Sequence, residues 1–225
     1  MRKSNESPCV AGLEAAKRNR IPMLVLWTVS VALVIAYYMV PAVASGLEPV
    51  ARWQRESGWI AAFLNRVVFC GVIPGMFVLC VKALRPAHPV AVIVVQTLWS
   101  GLCGIVSDCM FSLNARLFGT GVDFLTLCVK TVVCQFVWTP LFFAPLGAIV
   151  YFWIGRDFSF RRFRNEMPRR FWRGLVLPNL LVNWVIWIPA MVAINALPTP
   201  LQVQMSGLAS SLFSLMLLVL GRVIR

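Results

Sequence analysis

Three ionisable side chains, Arg66, Asp108 and Lys130, stand inside or at the edge of long apolar runs of the sequence. A charge in hydrocarbon is costly unless it pairs with another charge or faces water, so such residues are candidates for a solute path. At 1.5 Å per residue, Arg66 lies about 10 Å and Asp108 about 8 Å below the outer ends of their predicted helices. We therefore expect Arg66 and Asp108 to pair, with Lys130 at a similar level. The pair is either structural or the charged mouth of a path.

Uncharged polar side chains recur every four residues in several apolar runs, which on a helix places them in one stripe. The clearest stripe combines Asn179, Asn183 and Trp187. In hydrocarbon, such side chains either join helix to helix or line a polar path, and both interpretations remain open. Together with the charged residues, the candidate path residues are Arg66, Gln96, Asp108, Lys130, Gln135, Asn179, Asn183, Trp187 and Asn195.

The sequence carries no recognisable catalytic or metal-binding motif. His88 is the only histidine, which excludes Ser-His triads and multi-histidine metal sites. The patterns G-x-S-x-G, H-E-x-x-H and the P-loop do not occur. The seven cysteines form no C-x-x-C pair and mostly fall in apolar runs, where cysteine packs as a small hydrophobe. A Cys109–Cys128 disulfide is the alternative. We expect no enzymatic activity, no cofactor and no metal.

The composition is typical of a membrane protein. Hydrophobic residues make up 60% of the 225-residue chain and charged residues 13%, and the mean hydropathy is +0.80. The net charge of +13 could suit nucleic acid, but the basic residues stand between apolar runs and not on a soluble module. We therefore expect the lipid bilayer as the partner and no nucleic acid.

The apolar runs predict an all-α, polytopic membrane helix bundle of about six transmembrane helices. Pro74, Pro140 and Pro145 should bend two of them. The sequence Ala42-Val43-Ala44 resembles a signal-peptidase site, and cleavage there would leave five helices. The predicted segments are a tail at 1–20, a peripheral first helix at 21–45, an interfacial linker at 46–58, core helices at 59–84, 89–113, 124–154, 175–197 and 201–220, and an arginine-rich linker at 156–173.

The basic residues predict the orientation of these helices. With six spans, 16 of the 21 Lys and Arg residues fall on one side, in the tail, the loop after the second span, the arginine-rich linker and the chain's end. Because short cytoplasmic loops carry an excess of Lys and Arg, that side is the cytoplasm. The tail at 1–20, the arginine-rich linker and both termini are therefore predicted to be cytoplasmic.

The sequence from about residue 96 to about residue 215 resembles the Mpv-seventeen and peroxisomal membrane protein (twenty-two kilodalton) family. The matching residues are Gly101 and Gly104 before Met110-Phe111, Lys130, Gln135, Pro140, Asn183-Trp184, Trp187, Pro189, Asn195 and Pro200. The chain departs from the family's pattern at Cys134 and Gln204, where the family carries aspartate and arginine, and so resembles a divergent member. The resemblance implies a helical protein of organelle or bacterial inner membranes, with channel-like passage of small solutes and no cofactor.

Two functions follow as hypotheses. The first is a channel or transporter for small solutes, most readily in a bacterial inner membrane, with an organelle inner membrane as the alternative. The second is a non-conducting scaffold or assembly factor that acts through its helices and its arginine-rich linker. Either protein could act as a homo-oligomer.

Overall fold

The computed structural model describes residues 20–81 and 85–223, with side chains described as far as residue 216. Most of the predicted tail, the predicted end of the second helix at 84 and the last two residues lie outside the described residues. Within them the chain is helical and contains no strand, which confirms the all-α bundle. The eight helices are α1 (Arg20–Met39), α2 (Pro41–Ser57), α3 (Trp59–Cys80), α4 (Pro89–Phe118), α5 (Phe124–Ile154), α6 (Phe160–Glu166), α7 (Trp172–Asn195) and α8 (Thr199–Val223).

Five of these helices, α1, α3, α4, α5 and α7, are long and apolar enough to cross a membrane. Helix α5 has 31 residues and would span about 46 Å if straight, which exceeds a hydrocarbon core of about 30 Å. Helix α8 is 25 residues long. The described part of the chain is therefore compatible with an integral membrane protein.

The first helix ends at Met39, before the predicted boundary at 45, because Pro41 interrupts it. Proline lacks an N–H and restricts the preceding residue, and Val40 is accordingly extended, with φ −117° and ψ 101°. The predicted interfacial linker at 46–58 is mostly helical, since α2 covers most of it. Gly58 then turns the chain into α3 with φ +51°, a conformation that favours glycine.

The other helix ends also differ from the predicted boundaries. The described part of α3 ends at Cys80, α4 continues to Phe118, and α7 begins at Trp172. The arginine-rich linker contains α6. Ser159 caps its first turn, because Ser159 Oγ accepts a hydrogen bond from the Arg162 amide at 3.3 Å. Helix α5 keeps its predicted bounds.

The N-terminus of α5 is held by a side-chain cap outside the apolar run. The Asp123 carboxylate accepts a hydrogen bond from the Thr126 amide at 3.0 Å. Bonds from the Thr126 backbone and side chain hold the pKa of this carboxyl below its ordinary value. The cap therefore fixes where α5 begins.

Three helices contain π-helical segments, each adjacent to or including a proline. They are Val67–Val72 before Pro74 in α3, Cys134–Phe143 around Pro140 in α5, and Trp172–Val176 before Pro178 in α7. A proline removes one backbone donor and crowds the preceding turn, and an i→i−5 turn is one way for the helix to accommodate it. The bends predicted at Pro74 and Pro140 thus take the form of wider helical turns.

The bundle buries many polar side chains alongside its hydrophobic core and exposes many large apolar ones. Fourteen described polar or charged residues are buried, among them Lys130, Gln135 and Asn195. Large apolar side chains face outward instead, and Leu141 is 73% exposed. A water-soluble protein would bury fewer polar side chains and expose fewer large apolar ones. Extensive apolar surface of this kind marks contact with lipid or with other proteins. This distribution fits a bundle with a lipid-facing exterior.

Helices α3 and α4 approach each other closely through small residues. A Cβ at Gly104 would overlap the backbone carbonyl of Ala62, and one at Gly101 would overlap the Phe63 ring. Small residues at such crossings let helix backbones approach in a membrane protein. The Arg66 side chain also passes beside Gly104, so this contact positions the candidate site.

Helix α1 packs against α7 and α8. Trp27 donates to the Ile186 carbonyl at 2.7 Å and Tyr38 to the Ala196 carbonyl at 2.6 Å. Leu26 is fully buried, yet α1 contributes no residue to the two polar cavities described below. The first helix is tethered to the bundle but does not line its polar interior.

The close crossing predicts a difference between two glycine substitutions. Gly104→Ala should lower the free energy of unfolding by about 1–3 kcal/mol, because a backbone carbonyl cannot yield to the new methyl group. Gly46→Ala, in α2, is the matched control, since a Cβ there meets nothing within 4 Å, and it should be neutral or stabilising by about 0.5–1 kcal/mol. Thermal unfolding in detergent measures both. Equal effects would contradict the packing.

Candidate functional site

Two adjacent cavities lie between the helices, and both are partly open to the outside of the bundle. The larger, called here the α5–α7 cavity, has a volume of about 520 Å³ and is lined mainly by α5 and α7, from Thr139 to Arg156. The smaller, called the Arg66 cavity, has a volume of about 220 Å³. Both are lined by Thr139, Phe143 and Asn183. These three residues therefore form the boundary between the two spaces.

The Arg66 guanidinium lies at the wall of the Arg66 cavity. One terminal nitrogen donates to Ser210 Oγ and the other to Ser206 Oγ, each at 3.0 Å. Ser107 Oγ lies 3.4 Å away, and the Nε is buried without a partner. Among the described residues no carboxylate lies within 4 Å of Arg66. Its charge is solvated by hydroxyl groups and is not neutralised.

The predicted Arg66–Asp108 pair is therefore wrong. Asp108 Oδ1 instead accepts from Gln54 Nε2 at 2.8 Å, and Gln54 Oε1 accepts from Gln204 Nε2 at 2.6 Å. Residues 107 and 108 are about 100° apart around α4. Ser107 consequently faces Arg66, and Asp108 faces α2. Arg66 and Asp108 therefore do not meet, although Arg66 reaches Ser107, the residue next to Asp108.

Gln135 joins α5 to α7 through both its side chain and its backbone. Its Oε1 accepts from Asn183 Nδ2 at 3.2 Å, and its backbone carbonyl accepts from Trp184 Nε1 at 2.7 Å. In an i→i−5 turn the donor for that carbonyl would be residue 140, which is proline and has no N–H. The Trp184 indole supplies the missing donor.

Lys130 lies in a second buried polar layer and itself lines neither cavity. Its side chain is 2% exposed and forms no ion pair with the described residues. Nearby in sequence, Cys134 Sγ accepts from Asn114 Nδ2 at 3.1 Å, and Thr131 Oγ1 accepts from Asn195 Nδ2 at 3.1 Å. The Oδ1 atoms of Asn114 and Asn195 are buried without a partner. This layer therefore contains buried acceptor atoms without donors.

The structure brings only part of the predicted set together. Arg66, Gln135, Asn183 and Trp187 line the Arg66 cavity, and Asn179 lines the α5–α7 cavity. Gln96 is half-buried and lines neither of them. The remaining predicted residues that lie outside both cavities are Asp108, Lys130 and Asn195.

The four-residue spacing explains why some predicted residues share a cavity and others do not. Each step of four advances about 400°, so a stripe drifts about 40° per step. Asn183 and Trp187 are one step apart and share a cavity, whereas Gln96 and Asp108 are three steps apart and diverge by about 120°. The buried face of α4 instead includes Ser100, Gly104 and Ser107.

Several polar residues at the site were not singled out as candidates. Gln54 was assigned to a linker, and Asn114 stood just beyond the predicted end of α4 at 113. Ser107, next to Asp108 in α4, and Ser206 and Ser210, one helical step apart in α8, are also absent from the predicted set. A three-and-four spacing from Gly104 would have identified Ser107. The Cys109–Cys128 disulfide is not formed, and both cysteines are free.

Comparison with known proteins adds no family to these observations. No family model, no curated protein and no solved structure matches the chain. The resemblance noted from the sequence thus remains a prediction that these comparisons do not test. Within the structure, its Asn-Trp pair and its proline correspond to Asn183-Trp184 and Pro140, which meet at Gln135.

The missing donor at residue 140 predicts a non-additive pair of mutations. Trp184→Phe should lower the free energy of unfolding by about 1–3 kcal/mol, because it leaves the Gln135 carbonyl buried without a donor. Pro140→Ala restores a backbone N–H, so Trp184→Phe should cost less in that background. Thermal unfolding of the four proteins completes the cycle. Equal costs in both backgrounds would mean that the indole does not replace the proline's donor.

Proposed function

We propose that this chain is an integral inner-membrane protein that forms a conduit for small polar solutes. The observation that carries the proposal is the pair of adjacent cavities between the helices, each with some polar side chains in a largely apolar lining, in a bundle with an apolar exterior. Polar groups are retained inside lipid-embedded bundles where they pair or line water-filled space. A purely structural polar layer would need no cavity of about 520 Å³.

In this proposal the chain crosses the membrane six times, through α1, α3, α4, α5, α7 and α8. Both termini and the linker that contains α6 then lie in the cytoplasm, in agreement with the arrangement of basic residues. The α5–α7 cavity reaches Arg156 at the end of α5, and so would open toward the cytoplasm. A bacterial inner membrane is the simplest setting, and an organelle inner membrane is compatible with the same charges.

The path would be closed on the other side in the conformation described. Phe111 and Cys134 line the Arg66 cavity and are each 1% exposed. Beyond Cys134 toward the start of α5 lie Thr131 and Lys130, both buried. Opening would require this layer to separate, and the π-helical segment at Cys134–Phe143 is a position where α5 could change its turn.

A non-conducting scaffold is the second candidate, supported by the surface of the arginine-rich linker. Arg156 contacts Glu166 at 2.5 Å and Arg162 contacts Asp157 at 3.2 Å. The linker's other five arginines form no ion pair with the described residues. Phe160 is 73% and Trp172 54% exposed. Such a surface could hold an acidic partner protein without any solute passing through the bundle.

Solute flux separates the two candidates and is predicted to occur. Purified protein in liposomes should release small solutes faster than protein-free vesicles do. Gly147→Phe should remove most of that permeability, because Gly147 lines the α5–α7 cavity and a Cβ there meets only the Trp99 ring, at 3.7 Å. Gly46→Phe is the matched control and should retain it.

Permeability equal to that of empty vesicles, for neutral, cationic and anionic solutes alike, would contradict the conduit and favour the scaffold. Equal flux through Gly147→Phe and the unaltered protein would show that solutes do not pass through the α5–α7 cavity. Both variants must incorporate into the vesicles to the same extent as the unaltered protein.

A further inference from the structure

We infer that the Arg66 cavity binds a small anion, either an inorganic oxyanion or halide or a short carboxylate. The inference deepens the proposed function and rests on it, in that the anion would reach the cavity as the permeating solute. It depends on three observations: the charge of Arg66, the side-chain donors without a described acceptor on residues that line the same cavity, and the absence of acidic groups from the described lining.

The first observation is an uncompensated positive charge. Arg66 donates to Ser107, Ser206 and Ser210, and each of these hydroxyls donates its own hydrogen to a backbone carbonyl of its helix. The hydroxyl groups therefore act toward Arg66 as neutral acceptors. They orient the guanidinium without cancelling its charge, and a partly buried charge without a counter-ion attracts an ion of opposite sign.

The second observation is a set of donors that are not used within the protein. Gln135 Oε1 accepts from Asn183, but Gln135 Nε2 donates to no described residue. The Trp187 indole N–H also has no described acceptor. Neither nitrogen is among the fully buried atoms that lack partners. Both residues line the cavity, and N–H donors of this kind beside an arginine recognise anions.

The third observation concerns the rest of the lining. None of the described residues that line the Arg66 cavity is Asp or Glu. The carboxylate on α4, that of Asp108, accepts a hydrogen bond from Gln54 instead. Protein sites for divalent cations usually include carboxylate ligands, and an arginine at the wall repels a cation. A volume of about 220 Å³ has room for on the order of seven waters, which suits a small ion with part of its hydration shell.

Binding can be tested on the full-length protein in detergent, independently of transport. Nitrate is titrated against gluconate at constant sodium concentration and ionic strength while the melting temperature is measured. The unaltered protein should show a saturable rise of about 2–4 °C at saturation. Arg66→Gln should abolish the rise. The control Arg162→Gln removes an exposed arginine that lies outside both cavities, and it should retain the rise.

A second variant keeps the test decisive if Arg66→Gln fails to fold. Gln135→Glu preserves an oxygen that can accept from Asn183 but removes the free N–H donors and adds a negative charge, so it should also abolish the rise. No saturable rise in the unaltered protein would overturn the inference. An identical rise in the unaltered protein and in the variant that folds would also overturn it, because it would reflect a general salt effect.

Liposome flux of nitrate and of a neutral solute distinguishes this inference from the proposed function. A saturable, Arg66-dependent rise without any flux would support the anion site and contradict the conduit. Flux of the neutral solute without an anion-dependent rise would support the conduit and overturn the anion site. If both are correct, nitrate flux should fall in Arg66→Gln by a larger factor than neutral-solute flux.

Discussion

The backbone carbonyl of Gln135 lacks a donor in its own helix, and much of the polar interior depends on how that deficit is met. An unsatisfied carbonyl in a lipid-embedded bundle is costly. Pro140 causes the deficit in the wider turns of α5, and Trp184 corrects it from α7 at 2.7 Å. Once Trp184 is fixed in this way, the rotation of α7 is fixed as well. Asn183 then meets the Gln135 side chain, and Trp187, one turn later, lines the Arg66 cavity.

The separation of opposite charges follows from the same close packing. Gly104 allows α4 to approach α3 until Arg66 passes beside it, which directs the guanidinium toward the hydroxyls of α8. Asp108, on another face of α4, is bound by amides that join α2 and α8. Two charges at a similar depth are therefore stabilised separately, one by hydroxyl groups and one by amides. The arginine remains available to act on whatever occupies the cavity.

The sequence predicts the helical class and part of the residues that line the cavities. The residues that it does not predict are missed for physical reasons. Long apolar runs predict helices directly, and α5 has the predicted bounds because Asp123 caps its start. Asn183 and Trp187 share a cavity because one helical step separates them. Residues several four-residue steps apart, such as Gln96 and Asp108, point to different sides of the helix because the angle between them grows with each step. The Gln54 contact joins residues 54, 108 and 204, and no local pattern reveals a contact over such distances in sequence.

The central claim is that polar space inside the bundle is wet, whereas the exposed apolar surface faces lipid. Asn183→Cys and Val185→Cys, each in a background without the native cysteines, test it in liposomes with a charged thiol reagent that does not cross membranes. Asn183 borders both cavities, and Val185, two residues later, is 43% exposed on the bundle's surface. The account predicts modification at 183 from the side of the arginine-rich linker and none at 185. Rapid modification at 185 with none at 183 would contradict it.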